Sequence, residues 1–353
     1  MHKIYPMQRR TKLIVITLIV LGIMAAATAV IGLRIYRRQM QPNTSIDSPL
    51  SIYIPTNATL QQVYDSLQRH RVVDNWETFK RVVAQQGYGA KIYPGRYVFE
   101  PGMSNKRMVN MLRLGWQKPI RLTFNNIRLP EELAGRLARQ IEADSTSLMA
   151  ALSADNVAQR YGFSAQTFIA MFIPNTYEVY WNISPEQLLE RMNKEYERFW
   201  NTDRSGKAHA LGLSRIEVST IASIVQEETH RASEQPLIAR VYLNRLRIGM
   251  PLQACPTVKF ALRDFGIRRV LDRHLAVESP YNTYKNNGLP PGPIGLASIA
   301  AIDAVLNAPQ NNYLYFCAKA DGSGTHHFSS NYADHMRHSH EYSRHLNQRK
   351  IYR

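Results

Sequence analysis

From Leu13 to Leu33 the chain runs without a charge, LIVITLIVLGIMAAATAVIGL, and this stretch restricts everything after it. As a helix rising about 1.5 Å per residue it spans about 30 Å, the depth of a bilayer's hydrocarbon core. Lys3, Arg9, Arg10 and Lys12 precede it, and Arg34, Arg37 and Arg38 follow. Four basic residues against three leave the orientation open by charge alone. No other apolar run is long enough to span. The short side, residues 1–12, is therefore expected to be a cytoplasmic tail, with residues 13–33 a single-pass anchor in the plasma (inner) membrane. A cleaved signal peptide is the competing reading, since Ala27-Thr28-Ala29 has the small-x-small form of a cleavage site. The apolar run continues past it through Val30, Ile31 and Leu33, which favours the anchor. On either reading the globular part lies outside the cytoplasm.

An exported position changes what the charge means. A net +17 in the cytosol would point to nucleic acid. Outside, no nucleic-acid partner is expected; the counterparts are anionic lipid headgroups or an acidic wall polymer, or the surface is simply solvated. With 44% hydrophobic and 20% charged residues over 353 positions, the chain has the composition of two or three globular domains. Cys255 and Cys317 lie where disulfides are permitted, but their spacing does not say whether they meet.

Residues 34–50 carry Pro42, Asn43, Ser45 and Ser48 and read as a polar linker. A compact pattern follows. Leu50–Ile54 reads as a strand, and Thr59 with Gln62 as a capping box opening a helix with Leu60, Val63, Tyr64 and Leu67 on one face. Asp74 and Glu77 read as a similar opening for a helix through Phe79, Val82 and Val83, closed near Gly87. Gly95–Phe99 reads as a returning strand and residues 104–114 as an added helix. Residues 51–118 thus form a small α+β module of order strand–helix–helix–strand. Residues 119–347 read as a larger mixed domain. Ile120–Phe124 alternates as a strand, and Pro130 opens a helix with Leu133, Leu137 and Ile141 on one side. The aromatic run FIAMFIPNTYEVYW from Phe168 to Trp181 is either core packing or a sugar platform. Ser214 and Glu217 cap a helix reaching Glu228, and a second helix runs from about Pro236 to Leu246. A Gly/Pro loop, Gly288–Gly295, precedes a helix through Ile299, Ile302 and Leu306. A strand at Tyr313–Ala318, a loop at Asp321–His327 and a helix rich in His and Arg close the chain. The fold class expected is α+β.

On a helical wheel Ile221, Ile224, Val225 and Glu228 share one face, and Glu227 points about 100° away toward solvent. A carboxyl ending an apolar stripe is partly desolvated, which raises its pKa and suits it to general acid catalysis near neutral pH. The competing role is a helix-end carboxylate paired with Arg231 or Arg245. A metal site is not expected: six histidines lie between His326 and His345, but His340-Glu341 is followed by His345, which misses the i, i+4 zinc spacing. No nucleophile elbow, P-loop or dinucleotide fingerprint occurs, so no cofactor is expected.

IASIVQEETHRASEQPLIARVYLNRLRIGMPLQACPTV, from Ile221 to Val258, resembles the MltG (YceG-like) family of endolytic murein transglycosylases. Tyr281–Tyr284, the GLPPG of Gly288–Gly292, Tyr313–Phe316, and the tail pattern Gly324, His326, Phe328, Asn331 and His335 extend the likeness in family order. The resemblance implies that residues 51–118 are a LysM-like module and residues 119–347 the catalytic domain. It implies cleavage between N-acetylmuramic acid and N-acetylglucosamine in peptidoglycan glycan strands, closing a 1,6-anhydro ring and using no water. The glutamate before Thr229, Glu228, maps to the catalytic acid/base. Gln253, Asn282, Tyr284 and His326 are expected to hold the sugars and Glu234 to orient the site. Cell-wall synthases are the expected protein partners. Two positions depart from the pattern: Gln226 stands where many members have Glu, and Cys255 where Asp is common. A hydrolytic muramidase and a non-catalytic wall-binding scaffold are the alternatives.

Overall fold

In a computed structural model that describes residues 9–229 and 231–348, the apolar run is the middle of one long helix, α1 (Arg9–Met40). Its side chains from Leu13 to Leu33 are exposed along their whole length. From Lys12 it is long and apolar enough to cross a membrane. The helix continues through Arg34–Met40, residues whose polarity reads as linker. Nothing there breaks it until Pro42, and the residue before a proline leaves the helical region. Residues 1–8 of the expected tail lie outside the described residues.

The chain divides into two compact units, the first comprising residues up to Ile120 together with Val179–Asn182. In it β1 (Leu50–Ile54), α2 (Leu60–Arg69), α3 (Trp76–Gln85), β2 (Gly95–Phe99) and α4 (Asn105–Arg113) follow in order. The strands pair antiparallel, with Ile52 opposite Tyr97 and Ile54 opposite Gly95. Two strands alone are marginal. What holds them is a core of Ile52, Ile54, Leu67, Phe79, Tyr97, Phe99, Met108 and Leu112, all but excluded from solvent. Each large apolar side chain buried there contributes about 1.5–3 kcal/mol. Thr59 and Gln62 make the expected capping box. The second opening is corrected by one residue: Asn75, not Asp74, caps α3, its side chain accepting from the Thr78 N–H at 3.0 Å. Asn75 is the extended residue next to the first turn, so its carboxamide reaches that donor.

The second unit comprises Arg121–Glu178 and the residues from Ile183 onward. It begins inside β3 (Ile120–Phe124), at Arg121, and continues with α5 (Pro130–Ala138), α6 (Ser145–Ser153) and α7 (Asp155–Arg160). A 3-10 turn at Phe168–Met171 leads into β4 (Asn175–Val179), which pairs with β3. The aromatic run is mostly core: Phe168, Phe172 and Tyr177 are buried, and Tyr177 stacks on Phe124 with ring centroids 5.6 Å apart. Next come α8 (Pro185–Phe199), α9 (Thr202–Ala210), α10 (Arg215–Glu228), α11 (Gln235–Arg247), α12 (Cys255–Leu262) and α13 (Asp272–Leu275). The unit ends with α14 (Ile299–Leu306), β5 (Tyr315–Ala318), β6 (His326–Ser329) and α15 (Tyr332–Gln348). β5 and β6 form an antiparallel hairpin. α10 lies at the centre, packed by α11, α12 and α14. Two glycines let the Gly/Pro loop lie against the segments around Gln166 and Ile127. A Cβ on Gly292 would fall 2.3 Å from the Gln166 carbonyl oxygen, and one on Gly295 2.9 Å from that of Ile127.

Candidate active site

α10 starts at the expected capping box: the Ser214 N–H donates to Glu217 Oε2 at 2.7 Å, and the Glu217 N–H returns to the Ser214 hydroxyl. The apolar face proves wider than a stripe. Every residue from Val218 to Val225 is buried, as in a helix enclosed on all sides. Its three hydroxyls fit that setting because Ser219, Thr220 and Ser223 donate to carbonyls three or four residues back. The helix stops at Glu228, where Thr229 turns extended. Glu228 is therefore presented at the margin of the core, partly exposed.

Tyr242, from the middle of α11, donates its hydroxyl to Glu228 Oε1 at 2.7 Å. Burial pushes the Glu228 carboxyl above its ordinary range; the Tyr242 hydroxyl, then the charges of His326, Lys259 and Arg245, pull it part of the way back. The Tyr242 hydroxyl is itself pushed well up by burial and by Glu228, so it stays a donor. Neither arginine proposed as a partner pairs with Glu228. Arg231 donates to the carbonyls of Ser323 and Gly324. Arg245 donates to those of Leu314 and Leu252, each at 2.7 Å, and with Asn244, which holds Asn311 and Tyr313, it delays β5 until Tyr315.

The β5–β6 hairpin brings His326 to this cluster. Phe316 meets Tyr242 edge-on with centroids 5.9 Å apart, and meets His326 the same way at 5.5 Å. Glu234, just ahead of α11 and 8% exposed, fixes the histidine twice. Its Oε1 accepts from the His326 backbone N–H at 2.8 Å, and its Oε2 faces ring Nδ1 at 2.9 Å. An ionised carboxylate can only accept, which puts a ring proton on Nδ1. Glu234 thus fixes the position of His326.

The remaining expected residues sort differently. Tyr284 stands close enough to Glu228 for that carboxylate to help raise its pKa, after burial and Cys255, and its hydroxyl lies 3.2 Å from Cys255 Sγ. Gln253 is exposed and adopts a left-handed backbone (φ 51°), its N–H held by the Thr283 carbonyl. Asn282 is a correction. It is fully buried, and its side chain donates to the carbonyls of Leu275 and Val277 and accepts from the Tyr284 N–H. It has no face to offer a sugar; it staples the loop that carries Tyr284. Thr283, unnominated, completes that staple by accepting from the Ala254 N–H and meeting the Thr257 hydroxyl. Cys255 and Cys317 are both free thiols.

Glu227 is the other correction: it is bound by Arg128, whose guanidinium reaches Oε2 at 2.8 and 3.2 Å. Gln226 bridges the Leu296 carbonyl and the Ser298 N–H, a structural bond in place of an acid. Sequence reasoning missed Tyr242 and Lys259. A tyrosine buried in a helix needs a hydrogen-bond partner, and that was the available signal for Tyr242. A cavity of about 530 Å³ lined by Asp264, Arg268, Arg269 and His274 contains none of the Glu228 cluster.

The cluster thus gathers a partly exposed carboxyl, the tyrosine bonded to it and a histidine held in place by Glu234. The YceG-like family model matches residues 52–341, and the chain belongs to that family. An endolytic murein transglycosylase of Bacillus subtilis is 39% identical over 140 residues, covering 39% of this chain and 38% of that protein. One from Streptococcus pneumoniae is 25% identical over 330 residues, covering 82% and 57% respectively. The chain thus spans less than two thirds of the length of these relatives. A crystal structure of a yceG-like protein from Listeria monocytogenes, 24% identical, superposes with a TM-score of 0.54 over 82% of this chain and 99% of its own, which shows a shared fold.

Proposed function

We propose that this chain is an endolytic murein transglycosylase, cleaving the N-acetylmuramic acid–N-acetylglucosamine bond within peptidoglycan strands and leaving a 1,6-anhydro end. The observation that carries the reading is Glu228: a desolvated carboxyl, one oxygen capped, at the edge of the core. Protonated Glu228 donates to the glycosidic oxygen as the C1–O bond breaks and positive charge develops at C1. Its carboxylate then takes the proton of the muramoyl C6 hydroxyl as that oxygen attacks C1. The proton returns to where it began. Water activation would ask for a second free carboxylate, but Glu234 already holds His326 with both oxygens. That supports the transglycosylase over a hydrolytic muramidase. Tyr284, His326 and Gln253 are the residues we assign to the sugars.

The proposal extends to the rest of the chain. The first unit, with its strand–helix–helix–strand order, acts as a LysM-like glycan-holding module. α1 anchors the protein in the inner membrane with the second unit outside, where it ends strands beside the synthases that extend them. Digesting isolated sacculi with the full chain and sizing the soluble glycans tests the endolytic reading. Internal cleavage releases oligosaccharides of mixed length from the start; release of disaccharides alone contradicts it, and binding without release would leave a scaffold.

A further inference from the structure

The C-terminal end of α1 forms a polar cavity of about 460 Å³, lined by Arg34, Arg37, Arg38, Asn75, Thr78 and Asn105, with Asp74 as the one carboxylate on its wall. Arg34, Arg37 and Arg38 stand at i, i+3 and i+4, on one face of the helix. All three are exposed, and none has an ion-pair partner among the described residues. The polar wall opposite is tied together by hydrogen bonds. Buried Asn105 donates to the Arg38 carbonyl at 2.8 Å and to the Thr78 hydroxyl at 3.1 Å. Buried Asn43 donates to Asn105 Oδ1 at 2.6 Å and to the Asn75 carbonyl at 3.0 Å, and accepts from the Asn75 N–H at 2.7 Å. These bonds lock the end of α1 against α3 and α4, so the arginines project over a fixed floor.

Their depth decides what they meet. Arg38 lies five residues beyond Leu33, about 8 Å along the helix axis. The headgroup layer outside a 30 Å hydrocarbon core is about 5–8 Å thick. Guanidiniums match phosphate oxygens in a two-pronged geometry. Three arginines against one aspartate also repel the ammonium of a zwitterionic lipid. We propose that this cavity binds the phosphate of an acidic phospholipid headgroup in the membrane that α1 crosses. The inference rests on reading α1 as a membrane anchor.

Two measurements on the full chain separate the inference from that premise. Flotation with phosphatidylcholine vesicles tests the anchor alone. Calorimetric titration of the detergent-solubilised chain with short-chain phosphatidylglycerol, short-chain phosphatidylcholine and inorganic phosphate then tests the site. The expected result is flotation, with phosphatidylglycerol bound at least tenfold tighter than either of the others. The combined variant Arg34→Gln, Arg37→Gln and Arg38→Gln should float equally well but lose about 100-fold in phosphatidylglycerol affinity. Arg69→Gln, on the exposed end of α2, should change nothing. A chain that does not float overturns the anchor and the inference together. A chain that floats but binds both lipids alike, or whose triple variant keeps its affinity, overturns the lipid site alone. Inorganic phosphate binding as tightly as phosphatidylglycerol would also overturn it.

Discussion

Tyr242 donates a hydrogen bond from its hydroxyl to Glu228 Oε1 across 2.7 Å, joining the last residue of α10 to the middle of α11. The bond assigns the two carboxyl oxygens different work. Oε1 is engaged inside the fold, so in the proposed mechanism Oε2 is the oxygen that carries the proton to substrate. Burial and the tyrosine act on Glu228 in opposite directions, and burial dominates.

Removing the tyrosine should therefore move the pH profile in a known direction. The hydroxyl lowers the Glu228 pKa, so Tyr242→Phe raises it further. The alkaline limb of kcat/KM should shift upward, while the rate at the optimum falls about 10- to 100-fold, the scale of one hydrogen bond to a charged group. An alkaline limb that stays in place, or moves down, would show that the limb belongs to another group.

Glu228 should also weaken the fold it serves. Its folded pKa is raised, so the folded state holds the proton more tightly than the unfolded chain does. That advantage is complete below the unfolded value of about 4.3 and is lost as pH rises through the folded value. Glu228→Gln keeps the shape without the charge. The variant should melt a few degrees above wild type at neutral pH, with the gap closing as pH falls toward about 4.3. Thermal melts across pH check this; a gap that widens on acidification contradicts the assignment.

Glu234 and His326 should behave as one device. Glu234→Ala and His326→Ala each remove the same pairing, so the double variant should lose far less activity than the product of the single losses. Residues in direct contact couple by about 0.5–3 kcal/mol. We expect about 10- to 100-fold in kcat/KM for each single change, measured in a double-mutant cycle. Strictly multiplicative losses would mean that the two residues act separately.

Asn282→Ala should cost stability before it changes chemistry. Three part-buried hydrogen bonds of a fully buried side chain are lost, at about 1 kcal/mol each. Denaturation should shift by about 3 kcal/mol, while KM at a temperature where the variant is folded stays within about twofold of wild type. A large KM increase with unchanged stability would return Asn282 to the sugar-binding residues.

Local signals in the chain were readable, and long-range ones were not. Ser214 with Glu217 and Thr59 with Gln62 cap their helices through neighbours three residues apart, so pattern alone finds them. The same signal at Ser184 and Gln187 opens α8, where Leu188, Leu189, Met192 and Tyr196 recur at helical spacing and are buried, so that helix was equally open to pattern reading. Glu228 could be nominated because its apolar neighbours are on its own helix. The fate of Glu227 could not, since Arg128 lies 99 positions away. Tyr242 and Glu228 meet only because α10 and α11 pack together, a relation no spacing encodes. Asn282 misled for a further reason: a polar residue in a motif loop looks alike whether its amide faces a ligand or the loop's own carbonyls.

The most direct test of the central claim is digestion of peptidoglycan strands in oxygen-18 water by the wild type beside Glu228→Gln, with mass analysis of the new ends. Attack by the C6 hydroxyl brings in no oxygen from solvent. The wild type should therefore leave unlabelled anhydro ends, one water lighter than reducing ends, and the variant should leave almost none. Labelled reducing ends, or undiminished cleavage by Glu228→Gln, would contradict the account.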